Sequence, residues 1–217
     1  AGLNIELRNV GNSQAPAGTA TLTTESEYVT ITNASVDFAA LNSNSTVSID
    51  NAFGFTVSDE VPNKTSIDFL VTISSGTETY ENHITMKALA PDFKIGNVTI
   101  EEIEGNGNGR LDPGERAKLI FQVENKGDAN SQAANVTLTM NNIFLQITGE
   151  PTVIFNKIDK NEIKNVEYEI YVGGAPSGFA ADYTLDVVSG VYTDSKDFSS
   201  KIGLNVEDFE LGYLDTS

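Results

Sequence analysis

One stretch of the 217-residue sequence gathers oxygen-bearing side chains at regular spacing: Glu104-Gly105-Asn106-Gly107-Asn108-Gly109-Arg110-Leu111-Asp112-Pro113-Gly114-Glu115. Glu104, Asn106 and Asn108 hold the first, third and fifth places, Gly109 the sixth, the Arg110 carbonyl the seventh, Asp112 the ninth and Glu115 the twelfth. That is the spacing of a twelve-residue calcium loop. Alternate residues of a tightly curled loop point inward, glycine allows the sharp turn, and a terminal glutamate can close the shell with two oxygens. Such ligands suit a hard cation, so Ca²⁺ is the expected cofactor, held by Glu104, Asn106, Asn108, Arg110, Asp112 and Glu115. A site of about 10⁻⁴ to 10⁻³ M would fill at extracellular calcium levels and act as a structural clamp. Two features depart from the pattern. Glutamate stands where aspartate is usual, and the flanks, Ile95-x-x-Val98-x-Ile100 and Lys118-Leu119-Ile120-Phe121, alternate as strands rather than helices. The alternative is a Gly/Asn-rich connection whose side chains satisfy neighbouring backbone amides.

Other chemistry is sparse. His83 is the one imidazole, and its neighbours place it on the solvent side of a strand, so a general-base role has little to build on. Carboxylate pairs such as Glu101 and Glu102, or Asp208 and Glu210, resemble a glycosidase pair only by proximity. Among 31 acidic residues such pairs arise by chance, and a solvated acidic face is the simpler reading. With no Cys and no Trp, the sequence excludes a thiol nucleophile, disulfides, thiolate metal sites and a tryptophan sugar platform. The formal charge of −18 excludes the basic patches that nucleic acid and anionic membranes require. No apolar run approaches the roughly 18 residues of a membrane-spanning helix. No enzyme is expected here.

The elements that would position the loop are strands. Thr19-Ala20-Thr21-Leu22-Thr23, Tyr28-Val29-Thr30-Ile31 and Tyr183-Thr184-Leu185-Asp186-Val187 alternate at period two and are separated by Gly, Asn, Asp and Ser. This predicts an all-β chain of antiparallel sandwich type. An internal repeat organises it: Leu7-Arg8-Asn9-Val10-Gly11 matches Val123-Glu124-Asn125-Lys126-Gly127, 116 residues on. Thr21-Leu22-Thr23 falls on Thr137-Leu138-Thr139 at the same offset, which then drifts by a residue or two, as loops of unequal length would cause. Phe53 pairs with Tyr168 and Phe69 with Tyr183, so the aromatics read as core. The expected domains are residues 1–90, with the first strand truncated, and 91–205, with a junction at Leu89-Ala90-Pro91. The second copy has an additional strand, residues 93–101, and the Gly-rich loop, whose equivalents in the first copy are expected upstream of Ala1. Residues 206–217 are expected to lead into a following domain, the whole being an excerpt of a longer protein. Five Asn-x-Ser/Thr triplets are what an Asn- and Thr-rich strand protein yields by chance.

The loop string and the later Val123-Glu124-Asn125-Lys126-Gly127 turn resemble the opening of bacterial extracellular Ig-like modules. These are similar to the adhesion-related domains that trail secreted gingipain-like cysteine peptidases of the Bacteroidetes. The tail Val206-Glu207-Asp208-Phe209-Glu210-Leu211-Gly212 resembles the start of a cleaved-adhesin jelly roll. The resemblance implies two tandem Ig-like antiparallel β-sandwiches in a secreted or cell-surface protein, with Asn106, Asn108, Asp112 and Glu115 matching the family loop. It implies a non-catalytic part of a larger protein; with the high negative charge discouraging self-association, the expectation is a monomeric spacer whose partners are neighbouring domains of the same polypeptide. The rival expectation is an adhesin-type module gripping host protein or glycan through sandwich-end loops at 59–65 and 173–179.

Overall fold

The computed structural model describes residues 1–203. The chain divides into two compact units, Ala1–Ala90 and Pro91–Ser217. Residues 206–217, expected to lead into a further domain, lie outside the described residues.

Unit 1 contains β1 (Gly2–Arg8), β2 (Gly18–Thr24), β3 (Val29–Asn33), β4 (Ser35–Phe38), β5 (Thr46–Val57), β6 (Ser66–Ser75) and β7 (Glu78–Lys87). Unit 2 contains β8 (Phe93–Glu104), β9 (Arg116–Asn125), β10 (Ala134–Met140), β11 (Leu145–Ile147), β12 (Thr152–Phe155), β13 (Ile163–Val172), β14 (Phe179–Ser189) and β15 (Tyr192–Ile202). The protein is all-β, and every named strand pairing is antiparallel. In unit 1 the sheets run β1-β5-β3 and β4-β2-β6-β7; in unit 2 they run β11-β13-β9-β8 and β12-β10-β14-β15. In each unit the inward residues of both sheets share one core, which makes each a β-sandwich. Alternation is the cause: in β9 Ala117, Leu119, Phe121 and Val123 are fully buried, while the residues between them are only half-buried or exposed.

The repeated Asn-x-Gly turn is a three-way tie. Asn125, fully buried, donates from its amide to the carbonyls of Ala129 and Ile158, and its Oδ1 accepts the Gly127 N–H. Asn9 repeats this with Ser13, Leu41 and Gly11. One side chain thereby satisfies main-chain groups from two loops that would otherwise be lost to burial.

Part of the offset drift has a different cause from the one expected. Between Leu3↔Phe53 and Ile5↔Ile49, strand β5 carries two extra residues, and Asn51 takes a left-handed φ of 50° held by its N–H donating to Asn4 Oδ1. The matching β9/β13 ladder runs unbroken from Ile163↔Glu124 to Tyr171↔Arg116. Part of the drift is therefore a bulge inside a strand, not a loop of different length.

Candidate functional site

The Gly-rich loop joins β8 to β9. Strand β8 runs three residues further than the sequence pattern marked, so Glu104 is its last residue, paired in register with Arg116 across a bulge between Glu102 and Glu104. The loop is anchored by Leu111, fully buried in the core of unit 2 and bridged to Ile202. Its far end is tied to β13, because Gly114 N–H donates to Val172 O and Val172 N–H donates to Glu115 O.

Between these anchors the loop curls around carboxylates. The buried Glu115 accepts the Asn106 N–H on Oε1 at 3.0 Å and the Asp112 N–H on Oε2 at 3.0 Å. Asp112 Oδ2 accepts the side-chain amides of Asn106 and Asn108 at 2.8 and 2.7 Å. Asn106 Oδ1 takes the Asn108 N–H and Asn108 Oδ1 takes the Arg110 N–H, two successive side-chain-closed turns. Of the six expected ligands, Asn106, Asn108, Asp112 and Glu115 are thus brought into one network. Glu104 closes the strand beside it, and Arg110 contributes a main-chain N–H.

Glu102 belongs to the site although the sequence reading left it outside. Its carboxylate reaches over the loop and accepts Gly107 N–H at 3.2 Å and Gly109 N–H at 2.7 Å. The bulge that shifts register after Glu102 is the local departure there from regular pairing. Gly105 is required by this closeness: a Cβ there would stand 2.5 Å from Glu102 Oε1 and 2.6 Å from Glu115 Oε1. Two carboxylates so near one another repel, and backbone N–H dipoles offset part of that repulsion.

The donor set fits a hard cation in kind, being all oxygen. Among the described residues no three His, Cys, Asp or Glu side chains form a group that could hold a metal ion. A bound cation would therefore need the Asn106 and Asn108 side-chain oxygens and main-chain carbonyls in its shell, with carboxylates exchanging amide partners for the ion.

His83 sits exposed on β7, lining an open groove with Glu25, Glu27, Tyr28 and Asp68. The neighbouring Glu27 charge raises the Tyr28 phenol above its ordinary range. Asp68 accepts the Thr85 hydroxyl. Glu101 and Glu102 are successive residues of one strand, so their side chains leave it on opposite faces. Asp208 and Glu210 lie outside the described residues.

The two expected recognition loops differ. Residues 59–65 contain no aromatic side chain, and the segment is pinned by buried Val61 and by Lys64 N–H donating to Ala88 O. Residues 173–179 end at Phe179, whose ring meets Phe144 edge-on at 4.7 Å, next to Ile143, which is 81 % exposed. Asn142 Oδ1 accepts the N–H groups of Phe144 and Leu145, which fixes that turn.

No protein-family model matches the sequence, and no curated protein matches it. Solved structures give similarities of low identity. A Pseudomonas fluorescens alkylpurine DNA glycosylase, AlkC, bound to DNA with an abasic-site analogue, aligns at 15 % identity over 52 % of this chain and 31 % of its own, with a TM-score of 0.30. An Escherichia coli alpha-2-macroglobulin activated by porcine elastase aligns at 10 % identity over 93 % and 22 %, with a TM-score of 0.37. The secreted serine protease VesC from Vibrio cholerae aligns at 12 % over 88 % and 46 %, with a TM-score of 0.29. The chain spans less than half the length of each.

Proposed function

We propose that the chain is a non-catalytic spacer or accessory module of a larger secreted or surface bacterial protein, a peptidase or an adhesin. The observation that carries this reading is what the duplication has kept. Matched positions in the two units are core residues and the Asn-x-Gly tie. What the repeat keeps at these positions is scaffold rather than a cluster of reactive side chains. The excess of acidic surface keeps such an array soluble. Exchanging the chain, within its parent protein, for an unrelated pair of sandwiches tests the reading. A spacer predicts retained activity and surface display, whereas loss of either with folding intact overturns it.

In the same reading the loop around Glu102, Asp112 and Glu115 takes Ca²⁺ as a structural ion. Calcium titration followed by backbone amide shifts would then perturb Asn106 to Glu115 first and raise the melting temperature of unit 2. Unchanged shifts at millimolar calcium, with an EDTA-insensitive transition, would leave the loop as a self-satisfied connection.

A second reading, recognition of host protein or glycan, is favoured by one feature: exposed Ile143 beside the Phe144–Phe179 pair on a turn fixed by Asn142. An apolar residue on a rigid turn at a sandwich end is a common anchor for recognition. Binding on a glycan or matrix-protein array that is lost in Ile143→Asp would establish it.

A further inference from the structure

Asn106-Gly107 and Asn108-Gly109 are the two places in the sequence where asparagine precedes glycine. The pairing has a chemical consequence, because the main-chain nitrogen after an asparagine can attack that asparagine's own side-chain carbonyl carbon and close a succinimide ring. The tether between the reacting atoms is short, and glycine, with no Cβ, leaves the nitrogen unshielded. At Gly107 and Gly109 nothing lies within 4 Å of where a Cβ would stand, and residues 106–110 are exposed, so solvent reaches both sites.

The fold places a polar partner at each of the atoms that change in that reaction. At Asn108 the attacking nitrogen belongs to Gly109, whose N–H donates to Glu102 Oε2 at 2.7 Å. The Asn108 Oδ1, where charge builds as the carbon becomes tetrahedral, accepts the Arg110 N–H at 2.8 Å. The departing nitrogen, Asn108 Nδ2, donates to Asp112 Oδ2 at 2.7 Å. A proton acceptor at the nucleophile and an N–H donor at the developing oxyanion are the elements that speed acyl transfer.

Asn106 has the same set, with Glu102 Oε1 at 3.2 Å, the Asn108 N–H at 3.0 Å and Asp112 Oδ2 at 2.8 Å, each longer than its counterpart at Asn108. Asn125 and Asn142 also accept the N–H two residues on, but Lys126 and Ile143 follow them, and the Lys126 N–H goes to a main-chain carbonyl rather than to a carboxylate.

We propose that the β8–β9 loop carries a self-modification site at Asn108, where the chain converts its own asparagine to an aspartyl or isoaspartyl residue. The Gly109 nitrogen bonds to Asn108 Cγ while its proton passes to Glu102. The Cγ–Nδ2 bond then breaks, and the departing nitrogen takes up one proton to leave as ammonia. Water opens the succinimide at either carbonyl, so the balance is one water consumed and one ammonia released. Either product removes the Nδ2 donor to Asp112 and sets a new acid in the loop, which loosens its closure. The reaction needs no ion and is independent of the calcium reading above.

Incubation of the full chain near neutral pH in EDTA, with mass spectrometry of the peptide spanning residues 102–116, tests it. Three samples are compared: the folded chain, the same chain held unfolded in guanidinium chloride, and folded Glu102→Gln. In the folded chain Asn108 should gain the mass of an amide-to-acid exchange about tenfold or more faster than in the unfolded one, with Asn106 lagging and Asn125 and Asn142 unchanged. Glu102→Gln can still accept a hydrogen bond but is a far weaker proton acceptor, so the conversion should slow by about tenfold or more. Residue-resolved amide signals show that this variant keeps the fold, and the folded-to-unfolded ratio does not depend on it. Conversion of Asn108 no faster in the folded chain than in denaturant overturns the proposal. So does a folded Glu102→Gln chain that converts at the unaltered rate, or conversion at Asn106 ahead of Asn108.

Discussion

Units 1 and 2 solve the same packing problem with different materials. Unit 2 fills its centre with four aromatic rings, Phe121 meeting Tyr168, Tyr183 and Phe198 at 5.1 to 6.1 Å, and closes its sheet with β8. Unit 1 carries Ile5, Phe53, Phe69 and Ile84 at those places, so the cluster shrinks to aliphatic and benzyl groups, and among the described residues β1 stands at its sheet edge. The difference teaches that the sandwich is specified by the alternating positions and the Asn-x-Gly tie, which both units share. How rigidly it is held depends on the covering strand and on ring volume.

The largest test of that comparison is truncation at the central position. Phe121→Ala removes a fully buried ring with three aromatic neighbours and should cost unit 2 about 3–5 kcal/mol, whereas Ile5→Ala, on a half-buried edge, should cost unit 1 about 1–2 kcal/mol. Denaturant melts followed at residue-resolved amide signals report each unit separately. Equal costs would mean that β8 adds nothing to the burial of β9.

The tie comes next. Asn125→Ala strands two carbonyls and two N–H groups in a fully buried setting and should cost about 3 kcal/mol, while Asn9→Ala, half-buried and with three partners, should cost about 1 kcal/mol. Restoring the shape with Asn125→Asp keeps the acceptor and loses both donors, so an intermediate loss is expected.

The loop gives a smaller effect confined to unit 2. Gly105→Ala drives a methyl against the Glu102 and Glu115 carboxylates, at a cost of about 1–3 kcal/mol, and should release the Gly107 and Gly109 amides to faster exchange. Unit 1, to which Gly105 does not belong, should melt as before.

The alternating runs and the matched turns made the strands and the aromatic core readable from sequence, because period two and side-chain volume are local properties. Residues 19–23 and 183–187 lie in β2 and β14 as the alternation implies. The bulge at Asn51 was not readable, since it depends on Asn4 of another strand accepting an amide. Glu102 was missed for the same reason: on spacing it is only a polar residue in the inward phase of Val98 and Ile100 near the end of the strand, and only the curl of the loop brings Gly107 and Gly109 to its oxygens. Four of the six proposed ligand positions share one network, yet spacing could not say that their oxygens are already engaged by amides of the loop.

Alkaline pH provides the gentlest separation of the two units. Tyr168 and Tyr183 lie in the unit 2 core, the former donating its hydroxyl to Val136 O and the latter bonded to Ser200, and burial pushes both phenols above their ordinary value of 10.0. The neutral phenol is thus favoured in the folded state. Below pH 10 that preference contributes its full stability. Above it the unfolded chain gives up protons that the native state retains, so stability falls as pH rises toward the native values. Phe53 and Phe69 at the same positions of unit 1 cannot ionise. Tyr28 is raised chiefly by Glu27, its sequence neighbour in folded and unfolded chains alike, so it discriminates little between the two states. Melting curves between pH 9 and 11.5 should therefore show the unit 2 transition moving down first. Tyr183→Phe, which keeps the ring and drops the hydroxyl, should reduce that shift by about half. If unit 1 softened first, charge repulsion among its acidic side chains would outweigh phenol burial as the alkaline limit of the fold.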